Sequence, residues 1–200
     1  MDADLQFLAA LSLWAYALVL VVAAVDAIVP VVPSETVVIL GGVLAAQGRL
    51  NPWVLFTVAA VGATMGDNAS YSLGRGANRR GRTAEQHGGR TGRALRWANR
   101  LLRARGASVL IVARFVPGGR TATTFASGYL RFPRGRFLAA VAAGGLLWAA
   151  YATAIGYLGG TVFHDNTLAG VAAGLGIAVA VALVIEVVRA RRPALRTAEV

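Results

Sequence analysis

Long apolar runs alternate with short polar breaks along this chain, and the breaks carry most of the information. Residues 5–29 are apolar except for Gln6, Ser12 and Asp26. As a helix that run spans a bilayer core, which takes roughly 20 residues. Pro30-Val31-Val32-Pro33-Ser34-Glu35 ends it, because proline removes a backbone donor and clashes with the preceding turn. Residues 36–46 are apolar for only eleven positions, with Gly41-Gly42 among them. Eleven helical residues rise about 16 Å, so this stretch predicts a re-entrant half-helix or a short buried helix rather than a crossing. In the loop that follows, Asn51 is placed to cap a helix and Pro52 to occupy its first position. Residues 53–73 predict a second span, with Gly66-Asp67-Asn68 as a polar patch near its inner end.

Residues 75–105 hold ten arginines and one glutamate and are not membrane-embedded. Their second half is amphipathic: Arg93, Arg96, Arg100 and Arg103 share one helical side, and Ala94, Leu95, Ala98, Leu101 and Leu102 the other. Trp97 sits at the border. This predicts a helix lying on an anionic inner leaflet, where each Arg contributes about 1 kcal/mol. Residues 108–130 form another apolar run, but Arg114-Phe115-Val116-Pro117-Gly118-Gly119-Arg120-Thr121 interrupts it. Charge in such a run is expensive and marks function, and the Pro-Gly-Gly break predicts a second re-entrant element. A basic turn at 131–136, a charge-free span at 137–160, an outer loop with His164 and Asp165, and a last span at 168–185 complete the pattern.

Composition sharpens this picture. The chain has 200 residues, 56% of them apolar, and a mean hydropathy of +0.60, too high for an ordinary soluble domain. One membrane domain over 1–200 is expected. The net charge of +11 points away from nucleic acid, because the arginines cluster beside apolar segments, as the positive-inside rule requires. Four spans with both termini cytoplasmic put 75–105, 131–136 and a tail at 189–200 inside, with seventeen of the twenty arginines. The acidic start of the chain, Asp2 and Asp4, argues against a cleaved signal peptide. Cysteine is absent, which excludes disulfides and thiolate chemistry. No metal or cofactor is expected.

The two broken elements resemble each other. Pro33-Ser34-Glu35-Thr36 and Pro117-Gly118-Gly119-Arg120-Thr121 each precede a short apolar arm ending in Gly41-Gly42-Val43-Leu44 or Ser127-Gly128-Tyr129-Leu130. Each arm leads to an Arg, a Pro and a long span opening with Trp53 or Phe137. The topology gives them opposite orientations, the sequence sign of an inverted-repeat transporter. The fold expected is an all-α integral membrane protein with about four transmembrane helices and two oppositely oriented re-entrant hairpins.

Several of these pieces together resemble the DedA family, relatives of the SNARE-associated Golgi and vacuole membrane proteins. They are Asp26 ahead of Pro-x-x-Pro-Ser-Glu35, Gly66-Asp67 followed by Tyr71-x-x-Gly74-Arg75, and Arg114-Phe-x-Pro-Gly-x-Arg120 with Gly128. The similarity covers about residues 20–160. It implies lipid translocation or proton-dependent transport in a bacterial plasma membrane, with undecaprenyl phosphate as a substrate of some members. The family's functional carboxylates and arginines correspond to Asp26, Glu35, Arg114 and Arg120. Asp26 replaces the usual Glu, keeping charge but losing reach.

Chemically, Arg114 and Arg120 form a phosphate clamp, since guanidinium presents a planar donor fork that matches phosphate. Thr121 joins them at the start of a half-helix, whose N–H groups favour an anion. Glu35 and Asp26 are expected to pair with these arginines and to take up protons. Asp67 is a third candidate for proton coupling or ion pairing; its structural alternative, with Asn68 and Tyr71, is to pair with Arg75 and anchor the helix end. Against these roles stand structural ones: the arginines as ion-pair partners or snorkelling to the interface, Ser34 as a cap with Glu35 favouring the helix start. The leading function is a flippase for undecaprenyl phosphate or a phospholipid, driven by protons and resting on anionic inner-leaflet lipids. The competitors are a proton- or cation-coupled small-solute antiporter, a phospholipid scramblase, a lipid phosphatase and a membrane scaffold. With no Cys and no His near the polar cluster, an enzyme is disfavoured. The pattern leaves room for a homo-oligomer.

Overall fold

The computed structural model describes residues 2–29, 34–79, 86, 88–115, 119–162 and 176. Within them the chain is helical, without a strand. The elements are α1 (Asp2–Asp26), α2 (Ser34–Ala46), α3 (Pro52–Ala77), α4 (Gly89–Arg105), α5 (Ser108–Ala113), α6 (Gly119–Tyr129) and α7 (Arg134–Val162). Pro33, Pro117 and Gly118, most of the expected last span at 168–185 and the tail at 189–200 lie outside the described residues.

The start of α3 is encoded locally. Asn51 Oδ1 accepts from the N–H groups of Trp53 at 2.9 Å and Val54 at 3.3 Å, meeting two donors that the helix cannot pair itself. Pro52 takes the first helical position, and Tyr16 Oη accepts from Asn51 N at 2.7 Å, tying the cap to α1. The helix continues to Ala77, one turn past the expected end at 73, and stops at Asn78. The Asn78 N–H donates to Gly74 O at 3.2 Å, and its Nδ2 donates to Tyr129 O at 2.8 Å.

Glycines set how closely the helices approach. The short arm α2 packs on α7, where a Cβ on Gly42 would stand 2.7 Å from Thr153 O and one on Gly156 would meet Ile39 O. The short arm α6 packs on α3, where Cβ atoms on Gly128 and Gly74 would meet Tyr71 O and Phe125 O. The arrangement is reciprocal: each short arm lies against the long helix of the other half. Gly62 faces Leu20 of α1 and Gly144 faces Ile111 of α5. Gly62 to Gly144 and Gly74 to Gly156 are equal steps along the chain, so the two long helices place matching glycines at matching crossings.

Two apolar clusters fill the interior. One joins Val19, Ile39, Leu55, Ala59, Trp148 and Ala152; the other joins Tyr71, Leu102, Leu110, Phe137 and Val141. The outer surface is apolar as well, with Trp14, Val21, Trp53, Met65, Leu147 and Leu158 exposed, where a water-facing helix would carry charge. Among the described residues, Arg134–Val162 is the one helix long and apolar enough to cross a membrane by length and composition. The second expected span, α3, has the length but carries Asp67, Asn68, Ser70 and Ser72 in its second half.

The structure shows what the apolar face of α4 packs on. Its apolar residues Leu95, Ala98 and Leu102 are buried inside the protein, with Leu102 in the second cluster. That face is therefore covered by protein, and what α4 presents outward is Trp97 with Arg93, Arg100 and Arg103.

Candidate functional site

Five elements bring one charged group or its support to a common point. Asp26 is the last residue of α1 and Ser34 the first of α2; Asp67 lies in the second half of α3. Arg114 directly follows α5, and Arg120 sits in the first turn of α6. The chain is broken on both sides of α6, so the two arginines reach the same place from separate helical pieces.

Asp67 is the hub. Its side chain is fully buried, its Oδ2 accepts from Arg114 Nη1 at 2.6 Å, and its Oδ1 accepts from Arg120 Nε at 2.7 Å. Arg120 uses its remaining nitrogens on two further acceptors, Asp26 Oδ2 at 3.2 Å through Nη1 and the Ala63 carbonyl at 3.0 Å through Nη2. Asp26 in turn accepts from Ser34 Oγ at 2.7 Å. Two guanidinium groups thus face two carboxylates. Charges this deeply buried are tolerated only when paired and hydrogen-bonded.

One group in the cluster is left unmet. Arg114 is buried, yet its Nε and Nη2 atoms have no hydrogen-bond partner among the described residues. These two nitrogens form the side-on donor fork of guanidinium, and a buried donor without an acceptor costs about 1–3 kcal/mol. The guanidinium lies 5.4 Å from the centre of the Trp148 ring, a cation–π contact. Gly144 and Gly145 lie beside it: Cβ atoms there would stand in ordinary contact, 3.6 Å from Arg114 Cδ and 3.9 Å from Nη2.

Four expectations are corrected. Asp67 does not pair with Arg75: eight helical residues separate them by about 12 Å, and Arg75 Nη1 donates instead to Tyr71 Oη at 3.3 Å. Ser34, expected as a cap, is the first residue of α2 and donates its hydroxyl to Asp26. Glu35 is exposed and makes no ion pair with either arginine among the described residues. Thr121 is half-buried, and its carbonyl accepts from Thr124 Oγ1 at 3.2 Å; it does not join the ionic cluster. Gly119 opens α6.

Sequence reasoning offered Asp67 as an ion-pair or proton-coupling group without identifying its arginine partners, and it did not single out Trp148. The signal for Asp67 was present: an acid in a long apolar helix, with no basic residue three or four positions away, needs a partner from elsewhere in the fold. Trp148 carried no such signal. Among the described residues no group of three or more His, Asp or Glu could hold a metal ion.

Comparison with known proteins adds the family context. The VTT domain model matches residues 32–158. A membrane protein of Mycobacterium leprae is 31% identical over 141 residues, covering 66% of this chain and 60% of its own length. A membrane protein of Synechocystis is 32% identical over 132 residues, covering 66% of this chain and 61% of its own. The protein DedA of Escherichia coli is 26% identical over 219 aligned positions, covering 97% of this chain and 91% of its own. The match thus spans about 60% of the length of the Mycobacterium leprae relative. No solved structure matches the chain.

Proposed function

The chain belongs to the VTT-domain, or DedA, family, and from that premise we propose that it is a membrane transporter carrying a phosphate-bearing lipid across a bacterial plasma membrane. Undecaprenyl phosphate is the first substrate to test. The observation that carries this reading is the open donor fork on Arg114, two N–H groups without an acceptor among the described residues, beside a buried ion cluster. A phosphate has the geometry to fill it, accepting two parallel bonds from one guanidinium.

In this reading α1, α3 and α7 cross the bilayer. The elements α2 and α5–α6 enter from opposite sides as re-entrant hairpins. The reciprocal packing of each short arm on the long helix of the other half supports an inverted repeat. The start of α6 adds its unpaired N–H groups near Arg120.

The chemistry is an exchange of acceptors. The lipid phosphate accepts from Arg114 Nε and Nη2 and draws Arg114 and Arg120 from Asp67. The freed carboxylate takes a proton from the aqueous side, so that no uncompensated charge remains buried. Glu35, exposed beside Ser34, relays that proton. Rocking of the two halves then opens the site to the other face. No covalent step is involved.

Transport of labelled undecaprenyl phosphate by the reconstituted protein, with and without a pH gradient, tests this. Movement that stops in R120A, with the variant folded and inserted, is the expected result. Equal transport by R120A and wild type would remove the clamp. Gradient-driven solute exchange without lipid movement would mean a small-solute antiporter.

A further inference from the structure

A groove runs beside the end of α1 along the last turns of α3. The two helices are in contact as far as Gly66, whose Cβ would meet Ala24 and Ala27. There α1 stops at Asp26, while α3 runs on to Ala77. The step leaves a cavity of about 870 Å³ walled by Ala69, Ser72, Leu73 and Gly76 of α3 and by Ile28. The α3 residues fall three or four apart and share one helix face. The volume lies in the range of small-molecule sites, roughly 300–1,000 Å³.

The walls offer almost nothing polar. The Ser72 hydroxyl turns back on its own helix and donates to Asn68 O at 2.8 Å, and a Cβ on Gly76 would meet no atom within 4 Å. A peptide segment laid here would leave its own N–H and C=O groups unpaired, which is costly away from water. A hydrocarbon chain has no such requirement.

One end of the groove is cationic. Arg79 lines it, is exposed, and has no ion-pair or hydrogen-bond partner among the described residues. Arg75 lies one turn earlier, and Arg131 Nη2 donates to Asn78 O at 3.4 Å, covering a carbonyl at the helix end. Asp26 and Asp67 belong to the opposite end and are already paired with arginine.

We propose that this groove is a lipid site, distinct from the ion cluster, that holds a hydrocarbon chain of an anionic lipid whose headgroup is bound by Arg79. The assignment rests on the chain lying in a bilayer and not on which molecule it transports.

Native mass spectrometry of the purified full chain, titrated with phosphatidylglycerol or phosphatidylcholine of matched acyl chains, tests the site. Wild type should retain phosphatidylglycerol roughly tenfold better than phosphatidylcholine. R79Q should lose that preference while still holding both lipids. G76L, whose side chain enters open space, should lose both, and G76A should match wild type. Undiminished phosphatidylglycerol retention by G76L, an unchanged preference in R79Q, or no lipid retained by wild type would overturn the proposal. Because retention is read without transport, a failed flippase assay leaves these outcomes independent.

Discussion

Asp67 Oδ2 stands 2.6 Å from Arg114 Nη1, with the two side chains 0% and 3% exposed. Asp26, by contrast, is 21% exposed on its side chain and 3.2 Å from Arg120. Removing one partner of a fully buried pair costs about 3–5 kcal/mol, because the other charge is left uncompensated, whereas partly exposed pairs are worth about 1 kcal/mol or less. D67N should therefore lower the melting temperature in detergent far more than D26N. At about 2–4 °C per kcal/mol for a chain of this size, the loss is on the order of 10 °C against a few degrees. Equal losses would mean that Asp67 is not the hub.

Arg114 separates pairing from the open fork. R114K keeps a cation able to reach Asp67 but removes the planar Nε and Nη2 donors, which have no partner among the described residues. Stability should not fall, since those donors make no bond at rest and leaving them buried without an acceptor costs about 1–3 kcal/mol. Transport of a phosphate lipid should fall at least about tenfold, because hydrogen bonds to charged groups are worth roughly 1.5–3 kcal/mol each. A variant that unfolds readily yet transports normally would reverse the assignment.

Much of the helical plan was legible. The proline breaks, the Asn51-Pro52 start and the short arms follow from local rules that need no tertiary contact. The two arginines announced themselves because charge in an apolar run has few explanations. Partner choice was not legible. Asp67 meets arginines 47 and 53 residues away, a pairing set by how α6 crosses α3, and the crossing depends on Gly74 and Gly128. The covered face of α4 was hidden for a similar reason: periodicity shows that a face is apolar but not what packs on it.

Two glycines in the last turns of α3 should respond in opposite ways. A Cβ on Gly74 would run into the Phe125 carbonyl and stand 3.0 Å from Tyr129 N, backbone atoms that cannot swing aside. Overpacking of this kind costs typically 1–3 kcal/mol, so G74A should loosen the α3–α6 crossing and with it the hold of Arg120 on Asp67. Gly76, two residues on, meets nothing, and replacing a helical glycine by alanine stabilises by roughly 0.5–1 kcal/mol. Thermal unfolding of the two single variants should bracket wild type. If G74A is as stable as wild type, the close α3–α6 crossing is wrong.

Trp148 offers a direct view of the open fork. Of the four tryptophans, Trp14, Trp53 and Trp97 are more than half exposed while Trp148 is 6% exposed. A variant carrying W14F, W53F and W97F keeps one indole, and that indole lies 5.4 Å from the Arg114 guanidinium. A phosphate that takes the Nε and Nη2 donors draws the guanidinium toward itself and weakens its contact with the ring, worth about 0.5–2 kcal/mol. Saturating undecaprenyl phosphate should therefore change the emission of this single-tryptophan protein, and adding R114K to the same background should abolish the change. An uncharged undecaprenol of equal length controls for the chain alone. If the alcohol shifts the emission as much as the phosphate does, the signal belongs to the hydrocarbon, and the fork on Arg114 is not where the phosphate binds.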